Sequence, residues 1–343
     1  MSKSFDFVAI GDLHLDGKLK KHIPNLNEVI LNEARVALNY ARRSGIKAVV
    51  YLGDVCDIPK MSPDAHLRLL DIVSEYPDIK HIMITGNHDT EDENTNSLQI
   101  LKRMSELGGI TNLKVIDRPT NLYSKAGTPV RFLPWPHFSV GKEYLNIMHI
   151  ETNGSQWDHG KAVDSERDTN YTCVSGHLHT KQVVGRKKNI HFVGTLYQTN
   201  FGERLDKYFA HCSWDGTELG IDYIPIKPQY SLHNLIITER ADLEKIIVDP
   251  FNLYKCFIKS GVDLAASDLE KYSNVVKTNS FKSRQELEAL LSDELLMQDV
   301  DAEVSSMTVL DALQKWMLRS KVDEGLAEKT LNLFNELSQT KVK

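Results

Sequence analysis

Residues 5–14 read FDFVAIGDLH, an apolar run that gives way to glycine, aspartate and histidine. The run Phe5–Ile10 predicts a short strand, and Gly11 lets the chain turn sharply where that strand ends. In open α/β sheets, sites assemble beyond the carboxyl ends of the strands. This stretch therefore predicts an α/β fold whose functional site includes Asp12 and His14.

The same pattern occurs four more times along the chain. Residues 53–57 read GDVCD, residues 86–89 read GNHD, residues 176–179 read GHLH, and His149 follows Met148. These patches follow the predicted strands Ala48–Leu52, His81–Ile84, Thr172–Ser175 and Tyr144–Met148, respectively. Each of the four glycine-containing patches alone is typical of a turn, because glycine, asparagine and aspartate all favour turns, and His149 alone is typical of a core histidine. Five of them in this order at strand ends are very improbable as turns alone.

Helical patterns separate the early strands. One runs from Leu26 to Ala41 and is stopped by Gly45, and a second covers Pro63–Glu75. Further strands are predicted at Val130–Leu133 and His191–Val193. This β-α-β rhythm predicts a layered α/β domain over residues 1–228, with helices on the sheet faces.

The sequence changes character after this domain. Residues 229–292 combine strand patterns with helical ones and predict a small α+β capping domain; the strands are Ser231–Thr238 and Phe251–Ile258, and the helices Arg240–Val248 and Ser283–Leu291. The acidic stretch Ser292–Ser306 predicts a linker. Residues 307–340 predict two amphipathic helices, Thr308–Arg319 and Asp323–Leu337, that dock on a partner. Packing of these helices on the capping domain is the alternative.

The composition is that of an ordinary globular protein, with 343 residues, 41% hydrophobic residues and a formal net charge of -6. The acidic balance counts mildly against a nucleic-acid substrate. The four cysteines form no C-x-x-C pair, which predicts reduced thiols in a cytoplasmic protein. The sequence contains no apolar run of about 18 residues, so we expect no membrane span.

The side chains in the five patches are carboxylates, imidazoles and an amide. This mixture suits manganese, iron or zinc better than magnesium or calcium alone. Asp12 and His14, like His177 and His179, are two residues apart, a spacing that puts both side chains on one face of a strand end. A shared carboxylate can hold two ions about 3.5–4 Å apart for displacement at phosphorus.

The ordered set of patches, from Phe5 to Phe209, resembles the calcineurin-like metallophosphoesterase superfamily. The resemblance implies two packed sheets flanked by helices and two divalent ions, most simply Mn²⁺, with Mg²⁺, Fe²⁺ or Zn²⁺ as alternatives. It implies that one ion is held by Asp12, His14, Asp54 and His179, and the other by Asp54, Asn87, His149 and His177. His88 would protonate the leaving oxygen, and Asp89 would hydrogen-bond His88 and orient it.

Three segments resemble the SbcD-type nuclease branch: Phe132–Pro136, His149–Gly154 and Val193–Glu203. Within that branch, the segments His149–Gly154 and His191–Glu203 are most similar to bacteriophage recombination endonuclease subunits. The likeness implies a DNA exo- or endonuclease that works with an SMC-like ATPase in DNA-break processing and recombination. A homodimer is a further expectation. For a phage protein the compartment would be the host cytoplasm. Asp57 stands where many cellular members carry a histidine, which leaves the exo/endo balance open.

DNA binding requires cations outside the metal site. The candidates are Lys18, Lys20, Lys21, Arg131, Lys181, Arg186, Lys187 and Lys188. We expect substrate contacts from Asp57 and from the run Arg186–Lys188, although that run also fits a solvated hairpin turn and Asp57 also fits a turn or a carboxylate behind the ligands. Trp135, His137 and Tyr197 fit the lining of a cleft or the packing of a core.

Two other functions stay open at this point. A protein phosphatase or a cyclic-nucleotide phosphodiesterase could use the same core, although neither needs the long segment after Tyr230. A non-catalytic subunit that bridges DNA ends is the third reading. The complete ligand set argues against it, because a degenerate site loses ligands.

Overall fold

The computed structural model of the protein describes residues 4–92, 95–125, 127–158 and 160–291. These residues belong to one compact unit, Met1–Asp293. The predicted linker and the two predicted C-terminal helices lie outside the described residues. The predicted boundary at residue 228 falls in the connection between two strands that end at Ile226 and begin at Ser231.

The strands are β1 (Phe5–Ile10), β2 (Ala48–Tyr51), β3 (Lys80–Ile84), β4 (Thr90–Asp92), β5 (Thr95–Asn96), β6 (Leu113–Ile116), β7 (Thr120–Tyr123), β8 (Pro129–Leu133), β9 (Leu145–His149), β10 (Cys173–Gly176), β11 (Gln182–Val184), β12 (Ile190–Phe192), β13 (Lys207–Trp214), β14 (Leu219–Ile226), β15 (Ser231–Ile237), β16 (Asn252–Lys259) and β17 (Val275–Phe281). The helices are α1 (Leu26–Arg43), α2 (Pro63–Glu75), α3 (Gln99–Glu106) and α4 (Ala266–Glu270), with 3₁₀ turns at Lys18–Lys21 and Arg240–Lys245. Residues 284–291, the last ones described, are also helical.

The first sheet has the strand order β14-β13-β1-β2-β3-β6. Strands β1, β2, β3 and β6 run parallel, and β13 is antiparallel to β1. Helices α1 and α2 make the crossovers between the first three strands, and α1 buries Ile30, Ala34 and Leu38 along one face against this sheet. Because parallel strands end at a common edge, the loops that follow β1, β2 and β3 meet there.

The second sheet has the order β11-β12-β10-β9-β8-β7. Its four inner strands run parallel, and the two edge strands are antiparallel to their neighbours. Side chains from both sheets form one core between them, with Phe7 and Val50 from the first sheet and Phe132 and Ile147 from the second. The predicted two-sheet sandwich with flanking helices is confirmed.

Strands β15, β16 and β17 form a separate parallel sheet. Leu232 and Leu253 of this sheet belong to the core beneath α1, which packs the capping sheet onto the sandwich. The predicted helix over Arg240–Val248 is wrong beyond Lys245, where the chain becomes extended at Ile246. Ile246, Ile247 and Val248 are consecutive β-branched residues, and such side chains lose rotamer freedom in a helix.

Candidate metal centre

The loops that carry the candidate ligands approach one another very closely, and glycine makes this approach sterically accessible. A Cβ on Gly53, whose φ is +98°, would lie 2.2 Å from His149 Nδ1. A Cβ on Gly86 would lie 2.1 Å from Asp54 Oδ1. Any side chain at either position would therefore push the loops after β2, β3 and β9 apart.

One group of candidate ligands gathers around Asn87. Asn87 Oδ1 lies 3.0 Å from His149 Nε2 and 2.9 Å from His177 Nδ1. Asp54 Oδ2 is 3.1 Å from the same His149 nitrogen. The side chains of Asp54 and His149 are 2% and 0% exposed, so the candidate metal-binding atoms of this group lie in an interior shielded from water.

A second group gathers around His14 and His179, whose Nε2 atoms are 3.0 Å apart. Asp12 Oδ2 lies 3.6 Å from His179 Nε2. Asp54 Oδ2 lies 3.9 Å from His14 Nε2, so this oxygen stands between the two groups. The structure thus brings together all seven predicted metal-binding side chains and puts Asp54 in the shared position.

Asp12 and His14 lie in one group, as their i, i+2 spacing predicted, whereas His177 and His179 do not. Both pairs lie beyond the ends of their strands, and His14 and His177 have φ values of +48° and +79°. Asp54 is also left-handed, with φ +45°. Such backbone costs about 1–3 kcal/mol per residue and persists where the surroundings enforce it. His177 and His179 consequently face different groups.

In each of the four candidate histidine ligands, one ring nitrogen, here called inner, faces the other candidate ligands, and the second, outer nitrogen lies against an acceptor. His14 Nδ1 lies 2.9 Å from Asp57 Oδ1, His149 Nδ1 lies 2.7 Å from the carbonyl oxygen of Leu52, and His179 Nδ1 lies 3.0 Å from Glu203 Oε1. His177 differs, because its Nε2 lies 3.2 Å from Glu151 Oε2. An ionised carboxylate and a carbonyl only accept, so the hydrogen-bonded partners of His14, His149 and His179 assign the proton to the outer nitrogen of each neutral ring. Glu151 Oε2 is at ion-pair distance from His177 Nε2 without a hydrogen bond, and its charge favours the same position for the His177 proton.

The inner nitrogens therefore present lone pairs to one another and to the Asn87 carbonyl oxygen. Lone pairs at about 3 Å repel unless a proton or a cation lies between them. The carboxylates around the histidines also favour positive charge at this site. Burial lowers the pKa of His149, but Asp54 and Asp12 outweigh burial and raise that pKa to about 9. In His179, Glu203 and Asp158 likewise outweigh burial and raise the pKa to about 10. The residues fit divalent cations.

The expected hydrogen bond from Asp89 to His88 does not form. The buried Asp89 carboxylate accepts from the backbone N–H groups of Val55, Cys56 and Gly86 and from the Ser97 hydroxyl. These bonds tie the Asp54 loop to the Asn87 loop. The oxygens of Asp89 are thus directed at donors on both loops, away from the His88 ring.

Asp57 is the residue that contacts His88. His88 Nδ1 lies 3.1 Å from the backbone oxygen of Asp57 and 3.7 Å from its Oδ1. The His88 backbone N–H donates to Asp54 Oδ1 at 2.8 Å. Its side chain is 23% exposed, more than that of any of the histidines and aspartates predicted to bind metal. Asp57 thus lies between His14 and His88.

The predicted DNA-contact residues lie in several parts of the structure. Lys18, Lys20 and Lys21 are exposed on the 3₁₀ turn directly after the His14 loop. Residues 186–188 are exposed between β11 and β12, as the hairpin-turn interpretation expects. Arg131 donates to Asn121 and to the Ser139 carbonyl, and the Lys181 ammonium lies over the Tyr208 and Tyr223 rings. Arg186 Nε lies 3.6 Å from Asp168 Oδ2.

The three aromatic candidates also separate. Trp135 is buried and stacks on His177, with ring centroids 5.8 Å apart. Tyr197 is buried, and its hydroxyl donates to the Leu13 carbonyl, which fixes the loop that carries His14. His137 is exposed. Trp135 and Tyr197 thus act as packing that supports ligand loops.

Sequence analysis gave no role to Glu203 or Asp158, two carboxylates that lie against His179. Glu203 contacts His179 and forms a buried ion pair with Lys207, and Asp158 Oδ2 lies 3.5 Å from His179 Nδ1. A usable signal was Lys207, which occupies an inward-facing position of the alternating strand β13. A lysine buried in this way requires an acidic partner, and Glu203 is four residues away.

Comparison with protein families agrees with this geometry. The calcineurin-like phosphoesterase model matches residues 5–189, more than half of the chain. The protein therefore belongs to the calcineurin-like phosphoesterase family, whose members are metal-dependent hydrolases that use two divalent ions. No curated protein matches the chain significantly. None of the described helices has the length and apolar character needed to cross a bilayer.

Proposed function

We propose that this chain is a two-metal phosphodiesterase that cleaves DNA. The observation that carries the proposal is the position of Asp54 Oδ2 between two groups of side chains that can each offer a metal-binding atom. Asp12, His14, Asp54 and His179 would hold one ion, and Asp54, Asn87, His149 and His177 the other. Bound Mn²⁺ ions would polarise a phosphoryl oxygen and supply a nucleophilic hydroxide at neutral pH.

His88 is the proposed general acid. Its Nδ1 is engaged by Asp57, so Nε2 is the nitrogen from which a proton passes to the leaving oxygen. The backbone hydrogen bond to Asp54 ties His88 to the carboxylate shared by both groups. Exposure of the His88 side chain gives a phosphodiester access to this face of the site.

Support for DNA as the substrate comes from the segments that resemble the nuclease branch. Trp135 and Glu151 contact His177, and Glu203 contacts His179, so each segment contributes a residue that holds a candidate ligand. Three exposed lysines on the 3₁₀ turn Lys18–Lys21 follow the His14 loop and would contact phosphates. The two alternative substrates need no such outlying cations.

The remaining parts of the proposal concern partners. An SMC-like ATPase would bind residues 307–340 and supply ATP hydrolysis for DNA-break processing and recombination. A homodimer and a cytoplasmic location, in a host cell for a phage protein, belong to the same proposal. Copurification of the full chain with a candidate ATPase, compared with a chain truncated after Ser306, tests the docking.

The substrate is tested by comparing rates of hydrolysis with Mn²⁺ on end-labelled linear duplex DNA, cyclic AMP and a phosphopeptide. We expect cleavage of DNA that is abolished by Asp54→Asn, because that change removes the anion between two cations. Asp71→Asn, an exposed site on α2, is the matched control and should cleave normally. Faster hydrolysis of cyclic AMP or phosphopeptide would replace DNA with that substrate, and an inactive chain that still joins DNA ends would favour the bridging subunit.

A further inference from the structure

Glu151 closes a ring of contacts around His177. One carboxylate oxygen lies 3.2 Å from His177 Nε2, and the other pairs with Arg167 Nη1. The Arg167 guanidinium lies 6.0 Å over the Trp135 ring, and Trp135 stacks on His177. Each of these four side chains therefore contacts the next, and the last contacts the first.

The ring determines which nitrogen His177 directs inward. Glu151 faces Nε2, and Nδ1 faces Asn87 Oδ1 at 2.9 Å. His14, His149 and His179 all direct Nε2 inward instead. A half-turn of the His177 ring about its Cβ–Cγ bond would replace the Nδ1 lone pair with a carbon-bound hydrogen. The inner group would then lose one of its donors.

Two features hold Glu151 in place. Its side chain is only 15% exposed, and Arg167 neutralises its charge at the oxygen that does not face His177. The Arg167 backbone is itself anchored, because the Asn153 N–H donates to the Arg167 carbonyl oxygen at 2.7 Å. The carboxylate is thus fixed on both sides, which a residue serving only as a solvated surface charge would not need.

We propose that Glu151 is the positioning residue of the Asn87 group: it holds the proton of His177 on Nε2 and thereby directs the Nδ1 lone pair at the second ion. This inference rests on the proposed two-metal centre. Carboxylates behind metal-binding histidines orient the ring and increase its basicity, and their loss costs about 10–100-fold in metal affinity. The effect should fall on one ion, because the His14 group has its own acceptors in Asp57 and Glu203.

The test compares Glu151→Ala and Glu151→Gln with the matched control Glu166→Ala, which removes the same charge from an exposed position on the same loop. The first measurement is the ¹⁵N chemical shift of the two His177 ring nitrogens in the metal-free protein. The second is calorimetric titration with Mn²⁺, read together with the electron paramagnetic resonance spectrum, which distinguishes a coupled pair of ions from a single ion.

In Glu151→Ala we expect the two nitrogen shifts to converge as the tautomers mix. Affinity for the second Mn²⁺ should fall about 10–100-fold, whereas affinity for the first should change less than about threefold. The coupled-pair spectrum should give way to that of a single ion. Glu151→Gln retains an acceptor oxygen and should lose less, and Glu166→Ala should match the wild type.

The inference is overturned if Glu151→Ala keeps the wild-type tautomer and both wild-type affinities. It is also overturned if this variant loses both ions equally and its metal-free form melts at a lower temperature, because the residue would then be structural. A wild-type protein that binds fewer than two Mn²⁺ ions would instead contradict the proposed function. The ring-nitrogen shifts, which need no metal, would still decide the orientation of His177.

Discussion

Replacing Asp89 with asparagine should destabilise the protein, because the carboxylate joins two ligand loops. Its Oδ2 accepts from Val55 N–H at 3.1 Å and Gly86 N–H at 2.9 Å, and its Oδ1 accepts from Cys56 N–H at 2.9 Å and Ser97 Oγ at 2.7 Å. The NH₂ group of an asparagine, in place of either oxygen, would face hydrogen-bond donors. The least costly orientation puts the NH₂ group at the position of Oδ1, because the Ser97 hydroxyl there can rotate and accept a hydrogen bond from it.

That orientation still leaves the Cys56 N–H buried without an acceptor, at a cost of about 1–3 kcal/mol. The bonds from Val55 and Gly86 lose their charge assistance, which adds about 1–2 kcal/mol. Burial and the nearby Asp54 charge raise the pKa of Asp89, so removing its charge offsets part of the loss. The net destabilisation is about 2–4 kcal/mol, or a fall of roughly 5–10 °C in melting temperature.

The assay is thermal unfolding in EDTA, with Asp71→Asn on the exposed face of α2 as the control that should change by less than about 0.5 kcal/mol. Mn²⁺ affinity of Asp89→Asn should also fall, because the loops that carry Asp54 and Asn87 lose their connection. The reasoning is refuted if the variant melts and binds Mn²⁺ like the wild type but turns over about 10²–10⁴-fold more slowly. Asp89 would then act on His88.

Three other changes test separate parts of the structure. His88→Gln should keep both ions and DNA affinity while cleavage falls about 10²–10⁴-fold; metal loss, measured by elemental analysis, would make His88 a ligand. Mn²⁺ affinity, measured by calorimetry, should keep rising with pH up to about 9, because each ion displaces protons from histidines such as His149, whose pKa is raised to about 9. An affinity that stops rising above about pH 7.5 would contradict this explanation. Gln198→Ala should loosen the capping sheet by about 2–4 kcal/mol, since its amide pairs with both backbone groups of Leu232; unchanged proteolysis of residues 229–291 would exclude that role.

The convergence of the seven candidate side chains was predictable because each of them follows a strand whose apolar run is visible in the sequence. β1 and α2 have the predicted bounds, and the order of the patches indicated which loops meet. The roles behind the ligands were harder to predict. Asp57 and Asp89 are both acidic residues near a ligand in sequence, and the choice between them depends on loop conformations with positive φ that spacing does not encode.

The hairpin β13–β14 shows a signal that was present but went unused. Strand β13 alternates buried and partly exposed residues through much of its length, and Gly216, with φ +105°, follows Asp215 at the turn. Aspartate followed by glycine between alternating segments is a strong hairpin signal. Lys207, the first residue of this strand, forms an ion pair with Glu203. Folding also brings Glu203 into contact with His179, which the sequence does not reveal.

The most direct test of the account is a titration of the metal-free protein with Mn²⁺ in which bound ions and hydrolysis of bis-p-nitrophenyl phosphate are measured on the same samples. Because Asp54 stands between two groups of donors, we predict that two ions bind per chain and that hydrolysis appears only as the second ion binds. Full activity with one bound ion, or hydrolysis without added metal, would contradict the two-metal centre.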